Sequence, residues 1–195
     1  QDGGLADVFI WLDEAPAAIH PDREAEAHLP VRLAIDGCRI QPHAAVVRTG
    51  QTLTFRNLDE VAHVPRVETF VNASDGSLLP PAAGVLAGRS LDRTFERGER
   101  SPCPVRCAIH PWMSAYVLPV EHPYAAVTDA TGRFRIEKLP VGQHRFRIWH
   151  ERTGWLFGTF ESENADATPV GEKGRFVRRV EVGENDLETL RLQAS

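Results

Sequence analysis

Apolar and polar residues alternate along much of this chain, which is the pattern of strands with one face in a core and one face in solvent. Val31, Leu33 and Ile35 alternate with other residues, and Leu53 and Phe55 do the same. Clusters of glycine and proline separate these runs, and no window shows the spacing of a helix of three turns. The pattern therefore predicts an all-β protein.

The alternating pattern starts again after Pro123. A hairpin is predicted over residues 126–136, where a short turn joins two strands. Leu139-Pro-Val-Gly142 predicts a second turn, and the alternating segment His144 to Trp149 follows it. Two more strands are predicted at 176–180 and 187–192.

A chain of 195 residues can form one large domain or two small ones with a core each. The restart of the pattern favours two all-β domains, over residues 1–122 and 123–195. The strand predicted at residues 5–12 fits the second domain as well as the first, because a lone strand can join either sheet.

Composition and charge narrow the class of protein. The net charge is −5 and no stripe of basic and aromatic residues is present, so we expect no nucleic-acid partner. No apolar run approaches the length of about eighteen residues that indicates a transmembrane segment. A start at Gln1 is typical of an exported protein whose signal peptide has been removed, which predicts a periplasmic or secreted location. No feature predicts the oligomeric state.

The segment Cys107-Ala-Ile-His110-Pro-Trp-Met113 carries the strongest chemical signal. It places a thiolate, an imidazole and a thioether within one short loop. These ligands suit copper, whereas zinc sites rarely use methionine and hard cations prefer oxygen. His63 is a candidate for one more nitrogen ligand. Two histidines and a cysteine in a plane with a weak axial methionine form the blue-copper electron-transfer site.

The run from Ile40 to Asp59, with its Pro42, Gly50 and Asn57-Leu-Asp59, precedes the first candidate ligand. This order of strand, glycine turn, strand and Asn-x-Asp resembles the cupredoxins, such as plastocyanin, amicyanin and pseudoazurin. The resemblance covers roughly residues 31–121, and the short ligand loop is most similar to that of amicyanin. It implies a cupredoxin Greek-key β-sandwich.

The resemblance also implies the ligands and the activity. His63, Cys107 and His110 are the implied equatorial ligands of one copper ion, and Met113 is the implied axial ligand. The implied function is that of an electron carrier, not an enzyme, which docks redox protein partners near His110. Trp112, beside that histidine, is as well explained by packing as by docking.

Two positions depart from the cupredoxin pattern. Val64 stands where the family usually has an asparagine after the first histidine, and Ile40 stands where it has an aromatic residue. Hydrogen bonds around metal ligands tune the metal, so Val64 affects the expected reduction potential. Neither departure removes a ligand.

The second half carries Thr128-Asp-Ala-Thr-Gly132-Arg-Phe134 and Leu139-Pro-Val-Gly142. These turns resemble those of the carboxypeptidase-regulatory-like, transthyretin-like β-sandwiches, which implies a smaller sandwich here. The two halves together resemble a bacterial family of exported plastocyanin-like or methylamine-utilisation-type proteins.

Three cysteines leave the pairing of Cys38, Cys103 and Cys107 open. A Cys38–Cys103 disulfide and free thiols are equally consistent with the sequence. One alternative to the single copper ion is a binuclear copper centre using Cys103 and Cys107, although Cys-x-x-His is one residue shorter than that site requires. A Cys38–Cys103 disulfide would exclude it.

Two other classes of function compete with electron transfer. Copper oxidases and reductases need further histidines, commonly in His-x-His pairs. The chain has no His-x-His pair. A non-redox binding or scaffold module would retain no copper. Four further histidines are interpreted as structural or surface groups: His43, His122, His144 and His150.

Overall fold

The computed structural model describes residues 4–72, 84–160, 168–181 and 190–192. Short helices lie at Pro21–Ala25 (α1), Glu26–His28 and Glu172–Gly174. The strands are β1 (Phe9–Leu12), β2 (Val31–Asp36), β3 (Arg39–Gln41), β4 (Ala44–Arg48), β5 (Leu53–Asn57), β6 (Pro65–Val67), β7 (Ser90–Arg93), β8 (Cys103–Cys107), β9 (Ser114–Val120), β10 (Ala125–Val127), β11 (Gly142–His150), β12 (Gly154–Trp155), β13 (Gly158–Phe160), β14 (Thr168–Val170), β15 (Arg175–Val180) and β16 (Leu190–Leu192). The all-β prediction is confirmed.

One compact unit spans residues 22–123. It contains two four-stranded sheets, in the orders β3-β2-β5-β7 and β4-β9-β8-β6. Strands β2 and β5 are parallel, as are β4 and β9, and the remaining neighbours are antiparallel. Alternate residues of both sheets, such as Leu33, Phe55 and Val105, meet in one apolar core. The unit is therefore a β-sandwich, and the alternation seen in the sequence marks its inward faces.

The ends of the unit over residues 22–123 meet. The guanidinium of Arg23 donates a hydrogen bond to the carbonyl of Pro123 at 3.0 Å. Another bond, from the N–H of Thr49 to the carbonyl of Val120 at 2.8 Å, joins β9 to the turn after β4. The unit thus begins and ends at one place.

The second compact unit combines residues 1–21 with 124–195. Strand β1 lies between β10 and β11, with Phe9 opposite both Val127 and Trp149. One sheet has the order β10-β1-β11-β12 with β15 also on β11, and a three-stranded sheet has the order β14-β13-β16. Of the two positions left open for the strand predicted at residues 5–12, β1 takes the one in the second unit. The first 21 residues therefore group with the second half and not with the predicted first domain, 1–122.

The predicted hairpin over 126–136 forms its turn and part of its first strand, β10, but not its second strand. The carboxylate of Asp129 accepts hydrogen bonds from the N–H groups of Thr131 and Arg133, which shapes the turn. Residues 133–141 form no strand, and the partner of β10 is β1. Phe134 and Ile136 pack instead against the apolar core of this unit.

Among the residues that the structure describes, none of the helices is long and apolar enough to cross a lipid bilayer.

Candidate metal centre

Two separate segments bring the predicted ligands together. Strands β6 and β8 pair with Pro65 opposite Cys107, so the residues just before β6 lie beside the end of β8. His63, in that position, forms a bridge with Val85 through two backbone hydrogen bonds. The loop after Cys107 turns back where the N–H of Met113 donates to the carbonyl of His110 at 3.0 Å.

The ligand atoms of these segments converge. The Sγ atom of Cys107 lies 3.9 Å from Nδ1 of His63 and 3.7 Å from Nδ1 of His110. The two Nδ1 atoms are 3.0 Å apart. His63 and Cys107 are buried and His110 is half-buried. Nitrogen and sulfur ligands from two distant parts of the chain thus face one point.

The triangle formed by these three atoms fits a metal ion. A triangle with sides of 3.0, 3.7 and 3.9 Å has a centre about 2.1 Å from each corner, close to the roughly 2.0–2.1 Å of zinc–nitrogen bonds and 2.3 Å of zinc–thiolate bonds. Met113 is buried in the same core cluster as Cys107, at the end of the ligand loop. The donor set of two imidazoles, one thiol and a nearby thioether suits copper.

A carboxylate fixes the orientation of the His63 ring. Nε2 of His63 lies 2.9 Å from Oδ2 of Asp59. A carboxylate accepts hydrogen bonds, so the proton of the neutral ring resides on Nε2 and the lone pair of Nδ1 faces Cys107 and His110. Carboxylate–histidine pairs of this kind orient metal ligands and make them stronger donors.

The carboxylate of Asp59 is itself held by a turn. Its oxygens accept the N–H groups of Gly37 at 2.7 Å and Cys38 at 2.9 Å. The bond from Cys38 is the largest cause that holds the pKa of Asp59 below its ordinary value, although burial opposes it; Gly37 and His63 lower it further. Asp59 therefore stays ionised. The sequence analysis did not predict that Asp59 orients His63. The available signal was a carboxylate four residues before a candidate histidine.

A buried amide holds the loop that carries His63. Asn57 donates from Nδ2 to the carbonyls of Val61 and Val85, both at 2.7 Å, and accepts the N–H of Asp59 at 2.9 Å. Asn57 is completely buried at the end of β5. One side chain thus fixes both segments that flank the histidine.

The thiol of Cys107 receives a backbone hydrogen bond. The N–H of Val64 donates to Sγ at 3.3 Å, and the N–H of Ala108 donates to the carbonyl of Val64 at 2.9 Å. These contacts use only the backbone at position 64. Valine at position 64 therefore still allows the hydrogen bonds that join the His63 segment to the Cys107 loop.

The other two cysteines are free thiols, and the Cys38–Cys103 disulfide is not formed. Cys38 belongs to the β2–β3 turn beside Asp59, whereas Cys103 is buried in the core and burial raises the pKa of its thiol. Cys103 and Cys107 are four residues apart on one strand, a separation of roughly 13 Å. The geometry thus gives no support to a binuclear centre that uses both cysteines.

The remaining histidines lie outside this cluster. In the described part of the chain, no group of three metal-ligating side chains includes His43, His122, His144 or His150. Nε2 of His144 lies 2.7 Å from the carbonyl of Pro140, and Nδ1 of His150 accepts the N–H of Arg152 at 3.3 Å. These contacts serve the local backbone.

Apolar side chains are exposed on the ligand loop and its neighbours. The ring of Trp112 lies 5.2 Å from that of His110 and is 68% exposed. Ile109, Val61 and Leu86, in the loop or beside His63, are also exposed. The half-buried ligand His110 is thus accompanied by apolar groups.

No protein-family model matches this chain, and no curated protein sequence matches it. Solved structures that resemble it include cupredoxins. A Cu-containing nitrite reductase from Thermus scotoductus has 20% identity and a TM-score of 0.40, covering 56% of this chain and 25% of its own. A purple cupredoxin from Nitrosopumilus maritimus has 18% identity and a TM-score of 0.37, with coverages of 46% and 98%. Amicyanin from Paracoccus versutus has 15% identity and a TM-score of 0.38, with coverages of 56% and 96%.

This chain spans only a quarter of the length of the nitrite reductase. The identities and TM-scores are too low to carry a function from any of these proteins to this one. The function proposed below therefore rests on the arrangement of the ligand atoms in this chain.

Proposed function

We propose that this protein is a copper-binding electron carrier with one type 1 copper ion, held by His63, Cys107, His110 and Met113. The observation that carries the proposal is the triangle of Nδ1, Nδ1 and Sγ atoms, whose centre lies at bonding distance from all three. Bound copper supplies a one-electron exchange between Cu(I) and Cu(II) at this point.

The protein holds the metal ligands in fixed positions in both oxidation states of the ion. Asp59 fixes the ring of His63, Asn57 fixes its loop, and the N–H of Val64 fixes the thiol of Cys107. Groups held in this way move little when the charge at the site changes, which favours fast electron transfer. Burial of His63 and Cys107 also excludes water from the ligands.

His110 provides the route to a partner. It is the half-buried member of the ligand triangle, and the exposed ring of Trp112 stands beside it. Apolar groups around an accessible ligand suit brief contact with another redox protein, which is the partner class we propose. Nucleic acid is not part of this proposal.

We propose that the protein carries electrons and has no enzymatic activity of its own. Three strong ligands and a buried thioether use the positions around one ion, whereas catalytic metal sites keep a position open for substrate. We also propose that the protein is periplasmic or secreted, and that its second unit is transthyretin-like. Two sheets that share one apolar core in that unit support the latter.

A Cu(II) titration followed by visible and electron paramagnetic resonance spectra tests the function. One equivalent should give an intense thiolate-to-copper band and a narrow four-line hyperfine pattern. Cys107→Ser should abolish the band, and the matched control Cys38→Ser should keep it. A seven-line pattern at two equivalents would indicate a binuclear centre. A colourless protein would favour a non-redox binding or scaffold module.

A further inference from the structure

The ring of His63 has a second nitrogen that faces a different group of ligands. Side-chain ligand atoms of Cys38, Asp59 and His63 all lie within 4.8 Å of one another. The histidine nitrogen on this side is Nε2, 2.9 Å from Oδ2 of Asp59. We call these three groups the outer set, and Nδ1 of His63 with Cys107 and His110 the inner set.

The chemistry of the outer set differs from that of the inner set. A thiolate, a carboxylate and an imidazole suit a borderline divalent ion such as Zn²⁺, with water as a fourth ligand. Asp59 accepts three hydrogen bonds, and one of them comes from Nε2 of His63. A metal ion between these two atoms would replace that bond, while the two backbone N–H groups would continue to orient the carboxylate.

Solvent reaches the outer set at Cys38. This half-buried cysteine lines an open cavity of about 480 Å³ together with Arg39, His43 and Trp112. The cavity gives an ion access to Cys38. Cys38 also has a φ of 54°, in the left-handed region that favours glycine. The backbone conformation alone would therefore disfavour a cysteine at this position.

The two sets require opposite tautomers of His63. The inner set uses the lone pair of Nδ1 while Nε2–H donates to Asp59. The outer set would use the lone pair of Nε2, and Nδ1–H would then donate to Nδ1 of His110, which lies 3.0 Å away. A neutral imidazole carries one N–H, so the ring can serve one set at a time.

We propose that Cys38, Asp59 and Nε2 of His63 form a second metal site for a Zn²⁺-like ion, and that occupation of one set excludes the other. Binding releases the proton of the Cys38 thiol to solvent. The existence of the site does not depend on the proposed function, whereas the exclusion of copper rests on it.

The site is tested with Cd²⁺, a zinc substitute whose bond to thiolate absorbs in the ultraviolet. The test uses Cys107→Ser, in which the thiol of the inner set is absent. One equivalent of Cd²⁺ should produce the thiolate band in this variant, and adding Cys38→Ser or Cys38→Gly to it should remove the band. No band in Cys107→Ser, or an undiminished band in the double variants, would overturn the site.

The exclusion is tested in the chain with Cys107 intact, loaded with Cu(I), which leaves Cys38 as the accessible thiol. Cd²⁺ should bind there at least tenfold more weakly than to copper-free Cys107→Ser. Equal affinity would overturn the exclusion and leave the site standing. If the protein forms no thiolate–copper band at all, the proposed function fails, and the Cd²⁺ result on Cys107→Ser still decides the outer set.

Discussion

The two compact units both contain histidines on or near strands, but they use them differently. In the unit of residues 22–123, His63 and His110 direct Nδ1 atoms to one point beside a thiol. In the other unit, His144 and His150 bond to nearby backbone groups. The difference is that in the unit of residues 22–123 a separate segment of the chain brings a second ligand beside the histidine.

The units also stabilise a partly buried carboxylate in different ways. Asp59 receives two backbone N–H groups and the ring of a ligand histidine. Asp13, in the other unit, is bonded by the guanidinium groups of Arg147 and Arg175. Removing Asp13 should therefore affect stability alone, whereas removing Asp59 should affect a metal site.

The largest effect is expected from removing a ligand. His63→Ala should lower the affinity for Cu(II) by more than about 100-fold, which exceeds the usual effect of losing a group that only orients a ligand. His150→Ala, in the other unit, is the control and should change the affinity little. A chelator competition titration measures both. Similar losses in the two variants would contradict the contrast between the units.

Asp13→Ala should lower the free energy of unfolding by about 3 kcal/mol, because Arg147 and Arg175 lose their common partner. This is the low end for a broken buried pair, since Arg175 is partly exposed. Denaturant unfolding measures the change. Glu14→Ala, which removes an exposed partner of Arg145, is the control and should cost less than about 1 kcal/mol. A shifted copper spectrum in Asp13→Ala would contradict the separation of roles.

Asp59→Ala should weaken metal binding about 10- to 100-fold, as is usual when the partner of a ligand histidine is removed. Asp59→Asn should weaken metal binding less, because its amide oxygen can still accept a hydrogen bond from Nε2–H of His63. Nitrogen-15 NMR of the metal-free protein gives a second measure: Nε2 of His63 should carry the proton in the parent chain and lose that preference in Asp59→Ala. An unchanged tautomer would show that Asp59 does not orient the ring.

The smallest effect is expected at the β2–β3 turn. Cys38→Gly should raise the free energy of unfolding by roughly 0.5–1 kcal/mol, because glycine adopts a positive φ without strain. Lys138, with a φ of 57° in the other unit, allows the matched change Lys138→Gly. Thermal unfolding compares the two. A loss of stability in Cys38→Gly alone would mean that the thiol contributes to the fold.

The four candidate metal ligands were predictable because three of them are close together in the sequence. Cys107, His110 and Met113 lie in one loop, and the strand pattern before His63 indicated where a fourth ligand would come from. Asp59 is four residues before His63, so a contact between them could have been predicted. Cys38 was not predictable as a neighbour of His63, because its proximity depends on the path of the β2–β3 turn, which no periodicity encodes.

The alternation of side chains predicted strands β2 and β5 of the sandwich over residues 22–123, because one face of each strand is buried. It did not determine the partners of β1. All four residues of that strand are buried, so its sequence lacks the contrast that would indicate a face. Pairing of Phe9 with Trp149 is a contact between distant parts of the chain, and only the assembled sheet defines it.

The placement of β1 has a consequence for the order of folding. Its sheet requires both ends of the chain, while the unit of residues 22–123 is continuous. The contact between Arg23 and Pro123 brings the ends of that continuous unit together. Once it has formed, the long intervening chain behaves as a short connection, and the entropy lost in closing the loop between β1 and β10 falls. We therefore expect the unit of residues 22–123 to form first and the strands β1 and β10 to pair afterwards.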